Sequence, residues 1–340
     1  MLHRFLILTG FFLAACVHTV APEPASDLYP YLVFGGPVQE DARFEPSGAV
    51  WDRLGNRYII FNDKDDEPPV YIYKYNEVPG ELELVDTLII QNEDGAPIKV
   101  KKFEDASASL AKDGVIYAIT ACDREDSAYN VLLRVTLSQV GKPVFEEVPG
   151  FKEALTKLRE LLGVPYMKIE AMALSPGDKY LYLGIREVGA EYKHPQRVVM
   201  IWRIGLEGGS TRPEKVFEME TRWILGRVEG ISALEYDPIK GRYLMLTSFE
   251  GEGNSKEDVG GHLWALDRES LEHRDGGIFG KAALLASFSH KAEGVSIDGH
   301  GRLLIVFDDD ASRKEKNWKK AREQNQFNIM QNQAYYLFMK

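Results

Sequence analysis

The chain has 340 residues, 44% hydrophobic and 27% charged, with a formal net charge of -11. That acidity argues against holding nucleic acid or anionic lipid head groups by bulk charge. Two cysteines are too few for a disulfide-stapled scaffold, and the length is ample for a large hydrophobic core.

Met1-Leu2-His3-Arg4 precedes an apolar run from Phe5 to Ala15, too short to span a bilayer but matching the basic and apolar regions of a secretion signal. The run ends in Leu13-Ala14-Ala15-Cys16, which resembles the lipobox of bacterial lipoproteins. The resemblance implies removal of residues 1–15, a lipid on Cys16 and a place in the cell envelope. Val17 in place of Asp points, in that family, to the outer membrane. The alternative is an ordinary cleaved signal with a chance cysteine. A lipidated Cys16 leaves no partner for Cys122, which is expected inside as a small apolar group. Residues 16–28 read as a tether and 29–340 as one domain, because repetition continues through it.

One phrase recurs five times: a small polar or acidic residue, a strand, a turn, and a second strand ending in charge. The copies open at Ser47, Asp105, Glu170, Glu229 and Glu293, spaced 58 to 65 residues apart. Ser47 to Asp63 superposes without a gap on Glu293 to Asp309, with Gly55 over Gly301. Such a period marks repetition of one supersecondary unit.

Each opening motif starts a first strand. Second strands are predicted at Arg57 to Phe61, Val115 to Thr120, Tyr180 to Ile185, Arg242 to Thr247 and Arg302 to Phe307. Third strands follow at Val70, Val131, Arg197, His262 and Ala334. Fourth, more polar strands are expected at Leu84 to Ile90, Val144 to Val148, Lys215 to Glu220 and Leu284 to Phe288. The last repeat lacks its fourth strand, and Tyr31-Leu32-Val33-Phe34 is an unpaired strand at the other end of the domain. The expectation is an all-β, five-bladed β-propeller of four-stranded antiparallel blades closed by the N-terminal strand, with six blades as the alternative. Phe151 to Met167 reads as a connecting helix with Leu155, Leu158, Leu161 and Leu162 at helical spacing and a stop at Gly163 and Pro165.

In a propeller the innermost strands line the axis, so the start of the first strand and the end of the second share one mouth. The expected inner ring is Ser47, Asp105, Glu170, Glu229 and Glu293. The outer set is Asp63, Asp123, Arg124, Arg186, Glu187, Glu250, Asp308, Asp309 and Asp310. Four carboxylates facing one axis must be protonated, neutralised by arginine, or gathered on a cation. Hard oxygen donors suit calcium; zinc has no support, since the histidines lack ligand spacing and no thiolate pair exists. The plainer reading is that each acidic residue tethers backbone amides at a strand start. The run 311–326, with Arg313, Lys314, Lys316, Lys319, Lys320 and Arg322, reads as a solvated helix that could hold phosphate if it covered the mouth.

The ring resembles that of the calcium-dependent nucleotidases of the apyrase type, which are five-bladed propellers with an axial calcium. That family supplies Ser, Glu, Glu, Ser and Glu in chain order. Ser47, Glu170 and Glu293 match in kind, Asp105 replaces a Glu and Glu229 replaces a Ser. The segment Leu158-Arg159-Glu160-Leu161-Leu162-Gly163-Val164-Pro165 leading to Ile169-Glu170 is also similar. Lys291-Ala292-Glu293-Gly294-Val295, Gly184-Ile185-Arg186 and Val306-Phe307-Asp308-Asp309-Asp310 resemble bacterial propellers named for phytase-like, esterase-like activity. The resemblances imply a phosphate ester or anhydride hydrolase, with Arg124 and Arg186 on the phosphate and Asp63 or Asp309 positioning water. No G-x-S-x-G elbow is present, and no histidine has an evident carboxylate partner. The alternative is a monomeric, non-catalytic envelope propeller holding a protein, peptide or glycan, favoured if Trp51, Trp223 and Trp318 cluster on one face.

Overall fold

The computed structural model describes residues 31–35, 44–63, 70–78, 80–88, 108–109, 114–123, 130–137, 144–206, 212–250, 259–272, 282–308 and 333–340. Val115-Ile116-Tyr117-Ala118-Ile119 and Leu303-Leu304-Ile305-Val306-Phe307 are buried at every position. A strand apolar on both faces needs cover on both, so each blade has to stand between two others.

The blades are β2 to β5 (Pro46–Asp52, Arg57–Asn62, Val70–Asn76, Glu81–Leu88) and β6 to β9 (Ala108–Ser109, Val115–Ile119, Leu132–Thr136, Val144–Glu147). The third is β10 to β13 (Tyr166–Leu174, Tyr180–Gly189, Gln196–Gly205, Glu214–Met219). The fourth is β14 to β17 (Gly230–Asp237, Arg242–Glu250, Val259–Asp267, Ala282–Phe288). The fifth joins β18 to β20 (Ala292–Ile297, Leu303–Phe307, Gln333–Met339) to the N-terminal β1 (Leu32–Gly35), in the order β1-β20-β19-β18. The N-terminal strand thus closes the last blade, Leu32 opposite Tyr336 and Gly35 opposite Gln333. The innermost strands touch in sequence, β2 to β6 to β10 to β14 to β18 and back to β2. This is the five-bladed propeller the repeats predict; the six-bladed alternative falls.

Five apolar clusters fill the five spaces between neighbouring blades. Leu304, Val306 and Tyr336 of the fifth blade, for example, meet Ala49, Tyr58 and Tyr73 of the first. Tyr58 also donates from its hydroxyl to Asp298 Oδ2 across that junction, at 3.2 Å.

At the end away from the mouth, three innermost strands finish on an aspartate that caps the turn into the next strand. Asp52 Oδ1 accepts from the amides of Leu54 and Gly55, and its Oδ2 accepts from Arg57 Nε at 2.8 Å. Asp237 binds the amides of Ile239 and Lys240, and Asp298 those of His300 and Arg302. An arginine follows each, at 57, 242 and 302. The carboxylate satisfies turn amides that no ladder reaches, which fixes the hairpin.

Helix α1 spans Phe151–Leu162 and ends on Gly163, whose positive φ of 66° lets its amide return to Arg159 and Glu160. Its buried stripe is Phe151, Leu155 and Leu158; Leu161, expected inside, is exposed. The apolar face therefore sits a turn nearer the N-terminus than the leucines alone suggested. Cys122 is fully buried, as expected.

Candidate functional site at the axial mouth

Four innermost strands carry one extra residue at the same station. Pairing of β2 with β3 skips between Pro46 and Gly48, of β10 with β11 between Ile169 and Ala171, of β14 with β15 between Ile231 and Ala233, and of β18 with β19 between Ala292 and Gly294. The residues set outside the ladder are Ser47, Glu170, Ser232 and Glu293, and all four are buried. A bulge breaks the alternation and re-aims one side chain, so each of these four blades supplies one re-aimed oxygen-bearing side chain.

This corrects the fourth ring position. Glu229-Gly230 looks like Glu293-Gly294 in sequence, but the true counterpart lies three residues on, at Ser232. Glu229 precedes the strand and sits elsewhere. Asp105 lies outside the described residues, as do Cys16, Arg124, Asp309, Asp310, Trp318 and the basic run 311–326.

Arg186 is itself a bulge residue, skipped where β11 pairs with both β10 and β12. Its Nη1 lies 2.7 Å from Glu170 Oε2 and donates to Ser248 Oγ at 2.8 Å. Lys168 Nζ also pairs with Glu170. On the fifth blade, Lys291 Nζ lies 2.9 Å from Glu293 and 2.6 Å from Glu250 of the fourth. Ser248 Oγ stands 3.5 Å from Glu293 Oε1, and Arg197 donates to the Glu250 carbonyl oxygen at 3.0 Å. One network thus ties the third, fourth and fifth blades together at the mouth.

The charges set the protonation states. Burial would raise the Glu170 carboxyl, but Arg186, Lys168 and Lys291 outweigh it and hold it well below the usual range. Lys291 in turn holds Glu250 down at about 2, against the opposing effect of burial. Burial keeps Glu293 above the ordinary glutamate value; Lys291 and Arg186 pull it down, and the Glu170 charge pushes it up. Glu170 and Glu293 therefore feel each other: one is firmly ionised and the other is the easier to protonate.

Of the remaining expected residues, Ser47 donates to the Phe61 carbonyl oxygen at 3.5 Å. Asp63 closes β3 at the mouth and donates its amide to the Glu45 carbonyl oxygen at 3.0 Å. Asp123 and Asp308 are buried at the equivalent strand ends. Trp51 is buried and so leaves the proposed aromatic face, whereas Trp223 is 86% exposed. Two cations of the site went unnoticed although the sequence marks both: Lys168-Ile169-Glu170 and Lys291-Ala292-Glu293 repeat one spacing. Ser248 had no such mark.

Glu229 lies between the third and fourth blades. Its Oε2 accepts from Thr247 Oγ1 at 2.6 Å, and His262 Nδ1 lies 3.0 Å from the same oxygen. This is a histidine with a carboxylate partner, which the sequence did not reveal across 33 positions.

Among the described residues no three histidine, cysteine or acidic side chains gather to hold a metal ion. The bulge series offers two carboxylates and two hydroxyls instead, a hard oxygen set that fits calcium in kind. It would take the place that Lys168, Arg186 and Lys291 fill beside Glu170 and Glu293.

No protein-family model matches this chain, and no curated protein does. Among solved structures it is similar to a gluconolactonase from Xanthomonas campestris, at 10% identity over 91% of this chain and 89% of that one, with a TM-score of 0.40. It is similar to a calcium-binding protein, regucalcin, from Agrobacterium tumefaciens, at 11% identity over 89% and 93%, TM-score 0.40. A Bacteroides thetaiotaomicron protein of unknown function shares 13% identity over 82% of this chain, TM-score 0.39, and this chain spans only 59% of its length. Likenesses this distant assign no activity.

Proposed function

We propose that this protein binds a calcium ion at its axis and hydrolyses phosphate esters or anhydrides at the mouth. The observation that carries the reading is the bulge series Ser47, Glu170, Ser232 and Glu293. With Ser232 in the fourth place, the described positions agree with the Ser, Glu, Glu, Ser, Glu order of the apyrase-type ring, a departure that Glu229 had seemed to introduce. A bound calcium would neutralise phosphate oxygens. Arg186, fixed by Glu170 and Ser248, supplies a planar donor beside that position, and Lys168 and Lys291 add charge. Asp63, at the end of β3, is a candidate to orient water; Arg124 and Asp309 remain proposed for the same mouth.

Elemental analysis of purified protein tests the metal. Stoichiometric calcium in the wild type, lost in Glu170→Gln and in Glu293→Gln, is expected, together with calcium-dependent release of phosphate from nucleotides or sugar phosphates. Wild type free of calcium after equilibration with it would end the reading.

A second reading is favoured by the same network: Lys168, Arg186 and Lys291 already satisfy the carboxylates, so the ring can serve as interblade cross-linking. The protein would then be a binding platform, with exposed Tyr192, Trp223 and Ile224 on connections at the mouth face. Calcium-free protein with an intact fold selects this reading.

We further propose that the propeller is lipid-anchored through Cys16 in the bacterial envelope, at the outer membrane. Mass spectrometry of the N-terminal peptide from membranes should find acylated Cys16, absent in Cys16→Ser.

A further inference from the structure

Each bulged carboxylate of the axis carries its own ammonium. Two places before the bulge residue stand Lys168 on the third blade and Lys291 on the fifth, where that residue is a glutamate. On the two blades whose bulge residue is serine, the same station holds Glu45 and Gly230. A lysine thus stands there only where a bulged carboxylate needs neutralising. Lys168 Nζ pairs with Glu170 Oε1, and Lys291 Nζ lies 2.9 Å from Glu293 Oε1. A calcium ion at the axis would need oxygens of the same two groups. At its bonding distance of about 2.3–2.6 Å it would repel an ammonium held on the same oxygen.

Of the three cations beside Glu170 and Glu293, two are able to leave and one is not. The Lys168 and Lys291 side chains are 19% and 14% exposed, against 4% for Arg186. Arg186 is a planar fork held by Glu170 and Ser248 and packed on Gly230, whereas a lysine is a point charge on a flexible stem. Each lysine also has a second carboxylate nearer solvent. Lys168 faces the half-buried Glu187 across the β10–β11 ladder, and Lys291 Nζ already lies 2.6 Å from Glu250 Oε1. An ammonium released from the axis therefore keeps a partner. The charge balances as well: two ammoniums leave and one divalent ion arrives.

We propose that Lys168 and Lys291 are exchangeable counter-ions of the axial site. They hold Glu170 and Glu293 in the calcium-free protein, and an arriving calcium ion moves both ammoniums outward onto Glu187 and Glu250. This rests on the axial calcium reading and adds a regulation to it. The empty site stays neutralised, and its affinity is set by competition between calcium and two tethered ammoniums.

The test is calorimetric titration of calcium into protein stripped with a chelator. Lys168→Met and Lys291→Met each remove a competitor and leave a buried carboxylate under-compensated, so each should bind calcium at least roughly tenfold more tightly than the wild type. Lys291→Arg keeps the charge but grips a carboxylate with two fixed donors, and should bind calcium more weakly. A second measurement needs no variant. Acetylation of Lys168 and Lys291 by N-hydroxysuccinimide acetate, read by peptide mass spectrometry, should rise severalfold when calcium is added, with the exposed Lys152 unchanged as internal reference. If the wild type binds calcium but Lys168→Met and Lys291→Met bind it no more tightly, or labelling of the two lysines stays constant, the exchange is overturned and the axial reading stands. Wild type that takes up no calcium ends the axial reading and the exchange together.

Discussion

Arg186 packs against Gly230 so closely that a methyl group added to the glycine would stand 2.4 Å from the arginine's Cγ and 3.2 Å from its Nε. The bare backbone at the start of β14 is the gap through which an arginine of the third blade reaches Ser248 on the fourth. Gly230→Ala is expected to push the guanidinium off Ser248 and destabilise the protein by roughly 1–3 kcal/mol through overpacking. Urea unfolding reads this; an unchanged midpoint would show that the neighbouring blades give way freely.

Removing the arginine itself should cost more. Arg186→Met leaves the buried Glu170 with Lys168 as its remaining ion-pair partner, and losing one partner of a buried pair typically costs about 3–5 kcal/mol. Pairing it with Glu170→Gln removes the under-compensated charge. The double variant should therefore be more stable than Arg186→Met alone, and a double-mutant cycle without that recovery would refute the coupling.

Acid stability gives a signed test. Lys291 holds the folded Glu250 carboxyl at about 2, below its ordinary 4.5. A depressed carboxylate stabilises the fold above its unfolded value, and that contribution is lost as pH falls from about 4.5 toward 2. Glu250→Gln should flatten the acid limb of the stability curve over that window. Glu293, raised in the fold, acts with the opposite sign: its contribution is present at low pH and fades as pH rises above the ordinary glutamate value.

The bulge series separates two glutamates and a serine that look alike on paper. Ser232→Ala should weaken calcium binding at the axis, since Ser232 is set outside the ladder as Glu170 and Glu293 are, its hydroxyl donating to the Ala292 carbonyl oxygen at 2.7 Å. Glu229→Gln should leave the calcium content unchanged. The reverse pattern, read by elemental analysis, would restore Glu229 to the ring.

Closure of the propeller can be weakened at one contact. Burial, then the charge of Asp298, keeps the Tyr58 phenol well above its usual value, so it remains a donor between the first and fifth blades. Tyr58→Phe should cost about 1–2 kcal/mol, because Asp298 loses one donor but keeps Arg302 and two amides. Asp298→Ala should cost more, as turn amides, Tyr58 and Arg302 all lose their acceptor. Chemical denaturation that ranks the pair the other way would contradict this.

Much of the architecture was legible because it is written in periodicity. Strands buried on both faces must read as apolar runs, turns must carry their punctuation, and the orphan strand at residues 31–34 had only one vacancy to fill. The repeated Lys-x-Glu at 168–170 and 291–293 was also visible, yet its meaning was not, since two residues apart along a strand normally means only the same face. Glu229 failed for a related reason. A dipeptide match does not fix the phase of a repeat; the turn-capping aspartates Asp52, Asp237 and Asp298 do, each standing five residues after Ser47, Ser232 and Glu293.

The sequence alone therefore determined the number of blades and the strand that closes them, because those follow from hydrophobic spacing along the chain. Tertiary structure alone decided which residue of each described bulge is set outside the ladder, that Arg186 and Ser248 meet, and that His262 stands against Glu229. Those pairings depend on register and on side chains crossing between blades, where distance in space has no counterpart in distance along the chain.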